Sequence, residues 1–326
     1  MARADVVIVT YDSRNQIRSC VESLLHPELS VIVVDNNSTD GTVDELRDLP
    51  VRVVHRRDNL GFAFASNAGA AAGTAPFVVF LNPDTEARPD AILGLAAFLE
   101  EHPEVGAVGP LILDENGGHH LSQRRFSNTG RSLASALFLP RLVPTASWSV
   151  DIADANAYAR PGSPDWISGA CIAVPRPLLE SIGGLDDRFF MYGEDMDLCR
   201  RIREAGYDVR FEPSLSIVHI GGASTPRSRL IGVMTESKIL YAEKHGGRSA
   251  ELAERSVSAL HAVTHAALTT RGAEARRGHL RSLSVALRDG IGKLGRDATG
   301  SPRRLPPDDL GEYAPVADEL PSHASR

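Results

Sequence analysis

The chain predicts an α/β fold, a mostly parallel sheet flanked by helices and followed by a helical C-terminal extension. Three observations predict it. Short, continuous apolar runs rich in β-branched residues recur at 6–10, 31–34, 51–55 and 77–81, as strands buried on both faces require. Helical patterns stand between these runs, so strand and helix alternate through the first third of the chain. Acidic or amide clusters at 35–40, 82–84 and 194–197 are placed at strand ends, where open α/β sheets put their ligand crevices.

Taken in order, Val6-Val7-Ile8-Val9-Thr10 ends at Tyr11. Ser13 with Gln16 three residues later resembles a capping box, and Ile17, Cys20, Val21, Leu24 and Leu25 follow at helical spacing. The second strand runs into Asp35-Asn36-Asn37-Ser38-Thr39-Asp40-Gly41, after which Thr42 and Glu45 offer another cap. Residues 51–55 form the third strand, and Asn59-Leu60-Gly61-Phe62 leads into a small-residue helix at 63–73. So many alanines imply close packing on the sheet or close approach of a ligand. The fourth strand ends at Asn82-Pro83-Asp84, Pro89 suits the first position of a helix reaching 101, and residues 105–108 give a further strand.

From 114 to 164 the pattern weakens. Asn116-Gly117-Gly118 reads as a hairpin turn, and the remainder reads as a variable insertion or mobile loop. Order returns with a strand at 166–174, a short helix to 182, the stretch Gly193-Glu194-Asp195-Met196-Asp197 and a helix ending near 206. Residues 208–211 and 216–220 read as two strands, the second carrying His219. Helices are expected at 231–240, 252–268 and 280–294. The expected organisation is therefore a domain at 1–228, with halves at 1–113 and 165–228 around the insertion, a helical extension at 229–298, and a disordered tail at 299–326.

Composition excludes several classes. The net charge of −7 hides a basic stretch at about 271–304 and an acidic end, and no nucleic-acid partner is expected. The three cysteines, Cys20, Cys171 and Cys199, are far apart and odd in number, which argues against a disulfide framework or zinc site and fits a reducing cytoplasm. Met1-Ala2-Arg3-Ala4-Asp5 leads into the first strand without an apolar leader, and no run approaches the ~18 apolar residues of a membrane span. The first strand is not followed by the glycines of a dinucleotide fingerprint, so hydride transfer is not expected.

Together, Val9-Thr10-Tyr11, residues 33–42, Asn59-Leu60-Gly61-Phe62 with Asn67, Phe80-Leu81-Asn82-Pro83-Asp84, Trp166-Ile167-Ser168-Gly169-Ala170, Glu194-Asp195 and His219 resemble the inverting nucleotide-sugar glycosyltransferases of family 2, with the GT-A fold. The resemblance covers residues 5–225 and looks most like bacterial rhamnosyltransferases of cell-surface polysaccharide. It implies donor binding by Thr10, Tyr11, Asp35, Asn37, Ser38, Asn59, Gly61, Asn67, Asn82 and Asp84, the first three bordering base and ribose. It implies a divalent metal, Mn²⁺ or Mg²⁺, held by Asp84 and His219. That sparse set suits a hard cation that keeps waters and phosphate oxygens, and the imidazole leans toward Mn²⁺. Asn82 stands where the family's Asp-any-Asp motif has its first acid, which weakens the metal site by one charge.

By the same resemblance Asp195 is the catalytic base. Glu194 either raises its pKa or binds acceptor hydroxyls, and Asp197 pairs with Arg200 or Arg201. The acceptor would meet Trp166, Gly169 and Glu194, although Trp166 reads equally as a core residue. Basic and apolar residues interleave at 271–296, as on an amphipathic helix at an anionic membrane or on a solvated helical face. The reading is a cytoplasmic enzyme at the inner face of the plasma membrane, moving a sugar such as L-rhamnose from its dTDP donor to a lipid-linked glycan. A nucleotidyltransferase acting on sugar phosphates and a catalytically inactive nucleotide-sugar-binding protein are the alternatives.

Overall fold

The structure, a computed structural model, describes residues 1–220, 227–270 and 272–288. The expected tail at 299–326, and Arg271, Ile291, Lys293, Leu294 and Arg296 of the basic stretch, lie outside the described residues. The first half comprises β1 (Ala4–Thr10), α1 (Arg14–Glu22), β2 (Leu29–Asp35), β3 (Arg52–His55), α2 (Phe62–Ala72), β4 (Phe77–Leu81), β5 (Thr85–Glu86), α3 (Pro89–Glu101) and β6 (Val105–Leu113). Next come β7 (Gln123–Arg124), α4 (Thr129–Ala136), α5 (Leu139–Leu142), β8 (Trp166–Ile167), β9 (Cys171–Pro175), α6 (Arg176–Ser181), α7 (Glu194–Glu204), β10 (Asp208–His219), α8 (Arg227–Leu268) and α9 (Gly272–Leu287).

Eight strands form one sheet in the order β3-β2-β1-β4-β9-β6-β10-β5, and β7 pairs with β8 beside it. The first four are mutually parallel, β9 is antiparallel to both β4 and β6, and β5 is antiparallel to β10. The continuous apolar runs have a direct cause. Val6 and Ile8 enter one core layer with Ile17 and Val21 of α1 and Ile92 and Leu95 of α3, while Val7 and Val9 enter the opposite layer with α2 and α7. Both faces of β1 are covered, so its middle is apolar throughout; the one acid, Asp5 at its start, is buried only because Arg176 Nη2 (2.6 Å) and Ala75 N (2.7 Å) bond it. The small residues of α2 do bring it close to the sheet: a Cβ on Gly69 would lie 2.4 Å from Val7 Cγ1.

Several local expectations give way. Neither predicted capping box forms: the Ser13 hydroxyl donates to Tyr11 O (3.2 Å), its amide donates to Thr42 Oγ1 (2.9 Å), and Thr42 opens only the 3₁₀ turn Thr42–Leu46. The single strand expected at 166–174 is two, β8 and β9, separated by a turn at 168–170. The two strands expected at 208–220 are one, β10, with irregular pairing near Glu212 and Ser216. The insertion is not a structureless loop. Gly117 (φ 81°) turns the predicted hairpin, and Asn128 caps α4 by accepting from Arg131 N (2.9 Å). Thr264 Oγ1 of α8 donates to Ala136 O (2.9 Å), which ties the insertion to the C-terminal helices. Helix α8 breaks at Gly247 (φ 71°), and α9 packs back on it through Gly278, Ser282 and Ala286, with the Ser282 and Thr235 hydroxyls 2.7 Å apart. Among the described residues no helix is long and apolar enough to cross a membrane.

Candidate active site

The carboxyl ends of β1 and β2 lie side by side, with Thr10 opposite Asp35 in register. Asp35 is 5 % exposed and turns back to accept from Ser38 N (3.2 Å). Burial raises its pKa, and the Ser38 bonds and nearby His55 oppose the shift. Asp12 N donates to Ser38 Oγ (3.0 Å), which closes the loop after β1 onto the loop after β2 and leaves Asn37 exposed at φ 71°. Thr10 Oγ1 is buried without a hydrogen-bond partner among the described residues, at the end of β1 next to the half-buried Tyr11. One amide knits the next motif to these loops: Asn36 Nδ2 donates to Asn59 Oδ1 (2.8 Å), and Asn59 Oδ1 also accepts from Gly61 N (3.1 Å).

Gly61 has φ 92°, and a Cβ there would lie 2.3 Å from Phe190 O, so only glycine fits. Phe62 N donates to that same carbonyl at 2.6 Å. The start of α2 is thereby fastened to the segment that leads into Glu194-Asp195.

Beyond β4, Asp84 and His219 meet although 135 positions apart, because β5 pairs antiparallel with the end of β10 and sets Thr85 opposite His219. Asp84 Oδ1 and His219 Nε2 are 3.1 Å apart, and Asn82 Nδ2 lies 3.4 Å from the same nitrogen. Adjacent ligands of an octahedral ion with bonds of about 2.1 Å sit roughly 3.0 Å apart, so the pair fits two neighbouring positions around one cation. Among the described residues no third carboxylate, imidazole or thiol joins them. The remaining positions would fall to phosphate oxygens and water. Sequence reasoning missed His120 from the insertion, whose Nε2 lies 3.1 Å from His219 O and whose ring is 5.4 Å from the His219 ring.

The acidic stretch opens α7, preceded by Tyr192 and Gly193 with φ 65° and 92°. Carboxylates in a first turn are favoured by the helix dipole, yet here the three differ. Asp195 Oδ2 accepts from Gly169 N (3.0 Å) and Oδ1 from Met196 N (2.8 Å). Burial raises its pKa, against the pull of the Gly169 amide and of Arg124. Glu194 is 6 % exposed, its Oε2 lacks a hydrogen-bond partner among the described residues, and burial, then the Asp195 charge, hold its pKa well above the ordinary glutamate value. Asp197 is wholly buried, bonded to Arg201 Nε (2.8 Å), Lys244 Nζ (2.7 Å) and His245 Nε2 (2.8 Å). Burial works to raise its pKa, but these cations outweigh it and the net shift is downward. The structural role expected for Asp197 thus has Arg201 as its helical partner, and α8 supplies two more that the sequence did not reveal.

Asn82 N donates to Ala170 O (3.0 Å), so the turn that holds Asp195 is bonded to the motif that carries Asp84. Two expected residues are elsewhere. The Asn67 amide is engaged at both ends by the Leu185 backbone (2.8 and 2.9 Å), where it orders the approach to the acidic stretch instead of facing the donor loops. Trp166 is 6 % exposed, donates Nε1–H to Arg125 O (2.9 Å) and is covered by the Arg124 guanidinium at 4.9 Å. It is the core tryptophan of the two readings, and Arg124 is the polar group beside Asp195 that sequence reasoning passed over.

A mostly parallel sheet flanked by helices, with polar loops after β1 and β2, an acidic motif after β4 and a helix that opens on carboxylates, has the architecture of a GT-A type of glycosyltransferase. Comparison with known proteins agrees. The sequence profile described as "Glycosyl transferase family 2" matches residues 5–165. An N-acetylglucosaminyl-diphospho-decaprenol L-rhamnosyltransferase of Mycobacterium tuberculosis is 32 % identical over 261 residues, covering 74 % of this chain and 85 % of that protein. A pre-mycofactocin glycosyltransferase of the same organism is 30 % identical over 220 residues, covering 66 % of this chain and 42 % of that protein. Among solved structures, a mannosyltransferase from Pyrobaculum calidifontis in complex with GDP-Man and Mn²⁺ superposes with a TM-score of 0.51 at 18 % identity, over 89 % of this chain and 82 % of that one. This chain belongs to glycosyltransferase family 2. It is a rhamnosyltransferase-like enzyme of that family, and it transfers sugar from a nucleotide-sugar donor.

Proposed function

We propose that this enzyme is a metal-dependent, inverting transferase that moves L-rhamnose from a dTDP-linked donor to a hydroxyl of a lipid-linked glycan at the cytoplasmic face of the membrane. The observation that carries the reading is the chain of contacts from Asp84–His219 through Asn82 and Ala170 to Gly169 and Asp195. It supports the reading by joining a pair fit to hold a diphosphate-bound cation to a half-buried carboxylate. The similarity to the M. tuberculosis rhamnosyltransferase supports the sugar and the acceptor class.

In this reading the loops at Thr10, Tyr11, Asp35 and Ser38 bind base and ribose, Asn59 and Gly61 shape the floor, and Asn82 hydrogen-bonds near the diphosphate. A divalent cation held by Asp84 and His219 would neutralise the charge of the departing nucleoside diphosphate. Asp195, fixed by the amides of Gly169 and Met196, keeps a lone pair on each oxygen and takes the proton of the acceptor hydroxyl as that oxygen attacks from the face opposite the diphosphate. Its raised pKa brings it nearer the operating pH, which favours general-base catalysis. Burial and the Asp195 charge favour the protonated form of Glu194, and in that form it can donate to an acceptor oxygen.

Thermal shift against a panel of nucleotide sugars with and without Mn²⁺ tests the donor, because only a bound ligand stabilises the fold by mass action, about 2.7 kcal/mol at 100 times Kd. dTDP-rhamnose with Mn²⁺ is expected to give the largest rise. Equal rises for all donors, or none, would remove the donor assignment.

A further inference from the structure

A cavity of about 720 Å³ lies between the insertion and the C-terminal helices, outside the crevice already described. Thr235 lines it while Ser237, two positions on and therefore on the far side of α8, donates to Met191 O (2.9 Å) at the acidic stretch. Its charged and titratable lining is Arg141 of α5, Lys238, Glu254, His261 and His265 of α8, and Glu274 and His279 of α9. The imidazoles of His261 and His265 stack at 3.8 Å, Phe138 extends the stack at 4.0 Å, and His279 stands 5.4 Å from His265. Burial holds His261 at about 3, so its ring is neutral, and burial raises Glu254 toward its neutral form. His279 Nδ1 is buried with no partner among the described residues.

The surroundings are apolar and basic. Leu142 and Leu268 are 76 % and 67 % exposed, and Leu137 beside them is half-exposed. Helix α9 buries Gly278, Ser282 and Ala286, packs Val285 beside them and presents Arg276, Arg277, Leu280, Arg281 and Leu287 outward, followed by the exposed Arg288, with no acid between 275 and 288. Leucines held outward beside a cavity where Lys238 and Arg141 stand with three histidines and two acids, one of which, Glu254, burial drives toward its neutral form, suit an amphiphile with an anionic head.

We propose that this cavity binds the phosphate head of a lipid. Lys238 and Arg141 supply its charge, His261 and His279 donate to its oxygens while His265 Nε2 stays with Ser135 O (3.3 Å), and Leu137, Leu142 and Leu268 cover the first carbons of the chain. The head belongs either to a prenyl phosphate or to a glycerophospholipid, and the shared chemistry is the phosphate ester with an alkyl tail.

The test is NMR of the histidine rings in the full chain, titrated in parallel with geranyl diphosphate, dihexanoyl phosphatidylglycerol and inorganic diphosphate. Shifts of the His261, His265 and His279 signals are expected with a lipid, at an affinity at least tenfold above inorganic diphosphate. That affinity should fall at least tenfold in Lys238→Ala/Arg141→Ala, and also in Leu142→Ser/Leu268→Ser, whose exposed positions leave the fold intact. Preference for geranyl diphosphate over phosphatidylglycerol assigns a prenyl head, and parity assigns bulk lipid; either supports the site. No shift with either lipid, inorganic diphosphate binding as tightly as both, or unchanged affinity in the leucine variant overturns it. The readout is binding alone, so it is independent of whether the transferase reading holds.

Discussion

Replacing Asp195 with Asn changes one atom at the position where the proton is to be received, and the structure sets its size. Each Asp195 oxygen accepts a backbone N–H, from Gly169 at 3.0 Å and from Met196 at 2.8 Å. Asparagine offers a single oxygen, so one amide faces an NH₂ donor, and an unsatisfied buried donor costs about 1–3 kcal/mol. Against this, the variant relieves a carboxylate whose ionised form burial already disfavours. Stability should therefore fall by no more than about 2 kcal/mol. Transfer should fall by about 10²- to 10⁴-fold, the contribution of a positioned base and equivalent to roughly 3–5 kcal/mol of barrier. Initial rates with a labelled donor, together with donor affinity by calorimetry, separate the two effects. A folded Asp195→Asn protein that binds donor normally and transfers within tenfold of the parent would refute the assignment. The parent should also show a pH profile of one sign: a base must be ionised, its pKa is raised, and so kcat/KM climbs through a point above the ordinary aspartate value and falls away in acid.

The other predictions are shorter. Glu194→Gln stands in for the protonated glutamate that burial and the Asp195 charge favour, so the acid limb of the profile should stay in place; a downward move by a full pH unit would show that Glu194 is charged in the working state. Asp84→Asn and His219→Ala each remove half of the cation pair, and the Mn²⁺ needed for half-maximal transfer should rise at least tenfold, as loss of even an outer-shell partner costs 10- to 100-fold. Unchanged metal dependence in both variants would count against the site. Gly61→Ala places a Cβ 2.3 Å from Phe190 O at φ 92°, and should cost about 1–3 kcal/mol in denaturant unfolding while weakening donor binding. Asp197→Asn strips a wholly buried carboxylate from Arg201, Lys244 and His245, for about 3–5 kcal/mol, or roughly 6–20 °C in Tm. Because the Asp197 pKa is lowered, its contribution is full above about pH 4 and lost below, so the gap between parent and variant should narrow in acid.

The sheet was legible because the middle of a strand covered on both faces is apolar, and the runs 6–9, 31–34 and 77–81 of β1, β2 and β4 announce themselves, while the polar residues Asp5 and Asp35 stand at or next to the strand ends. The break between β8 and β9 was not, since Ser168-Gly169-Ala170 is small and neutral enough to continue a strand. Only the tertiary pairing of β8 with β7 pulls it out of the sheet. Polar side chains whose position follows from a strand end, Asp35 and Asp84, stand where the sequence puts them, at the ends of β2 and β4. Position says less where a side chain can serve the backbone equally well. Asn67 satisfies both ends of its amide on Leu185, and Trp166 finds its acceptor at Arg125 O, and neither bond leaves a trace in spacing. The pairing of His261 with His265 at i and i+4 was visible, but its meaning required His279 from another helix and Phe138 from the insertion.

The acidic stretch is held at two points, the loop at Gly61 and helix α8, that do different work. Gly61 and Phe62 pack against Phe190 O immediately before it, so a displacement of that loop would press on the segment that leads into α7. Tyr192 and Gly193, both left-handed, then turn the chain so sharply that Glu194 and Asp195 begin a helix within four residues of that contact. On the other flank Asp197 is clamped to α8 by Lys244 and His245, while Ser237 of the same helix holds Met191 O. A base strung between a donor contact and a C-terminal clamp can be displaced from either end. Gly61→Ala and Asp197→Asn should therefore lower kcat as well as stability, although neither residue touches the reacting atoms, whereas a change confined to the outer face of α9 should leave kcat on a soluble acceptor unaltered.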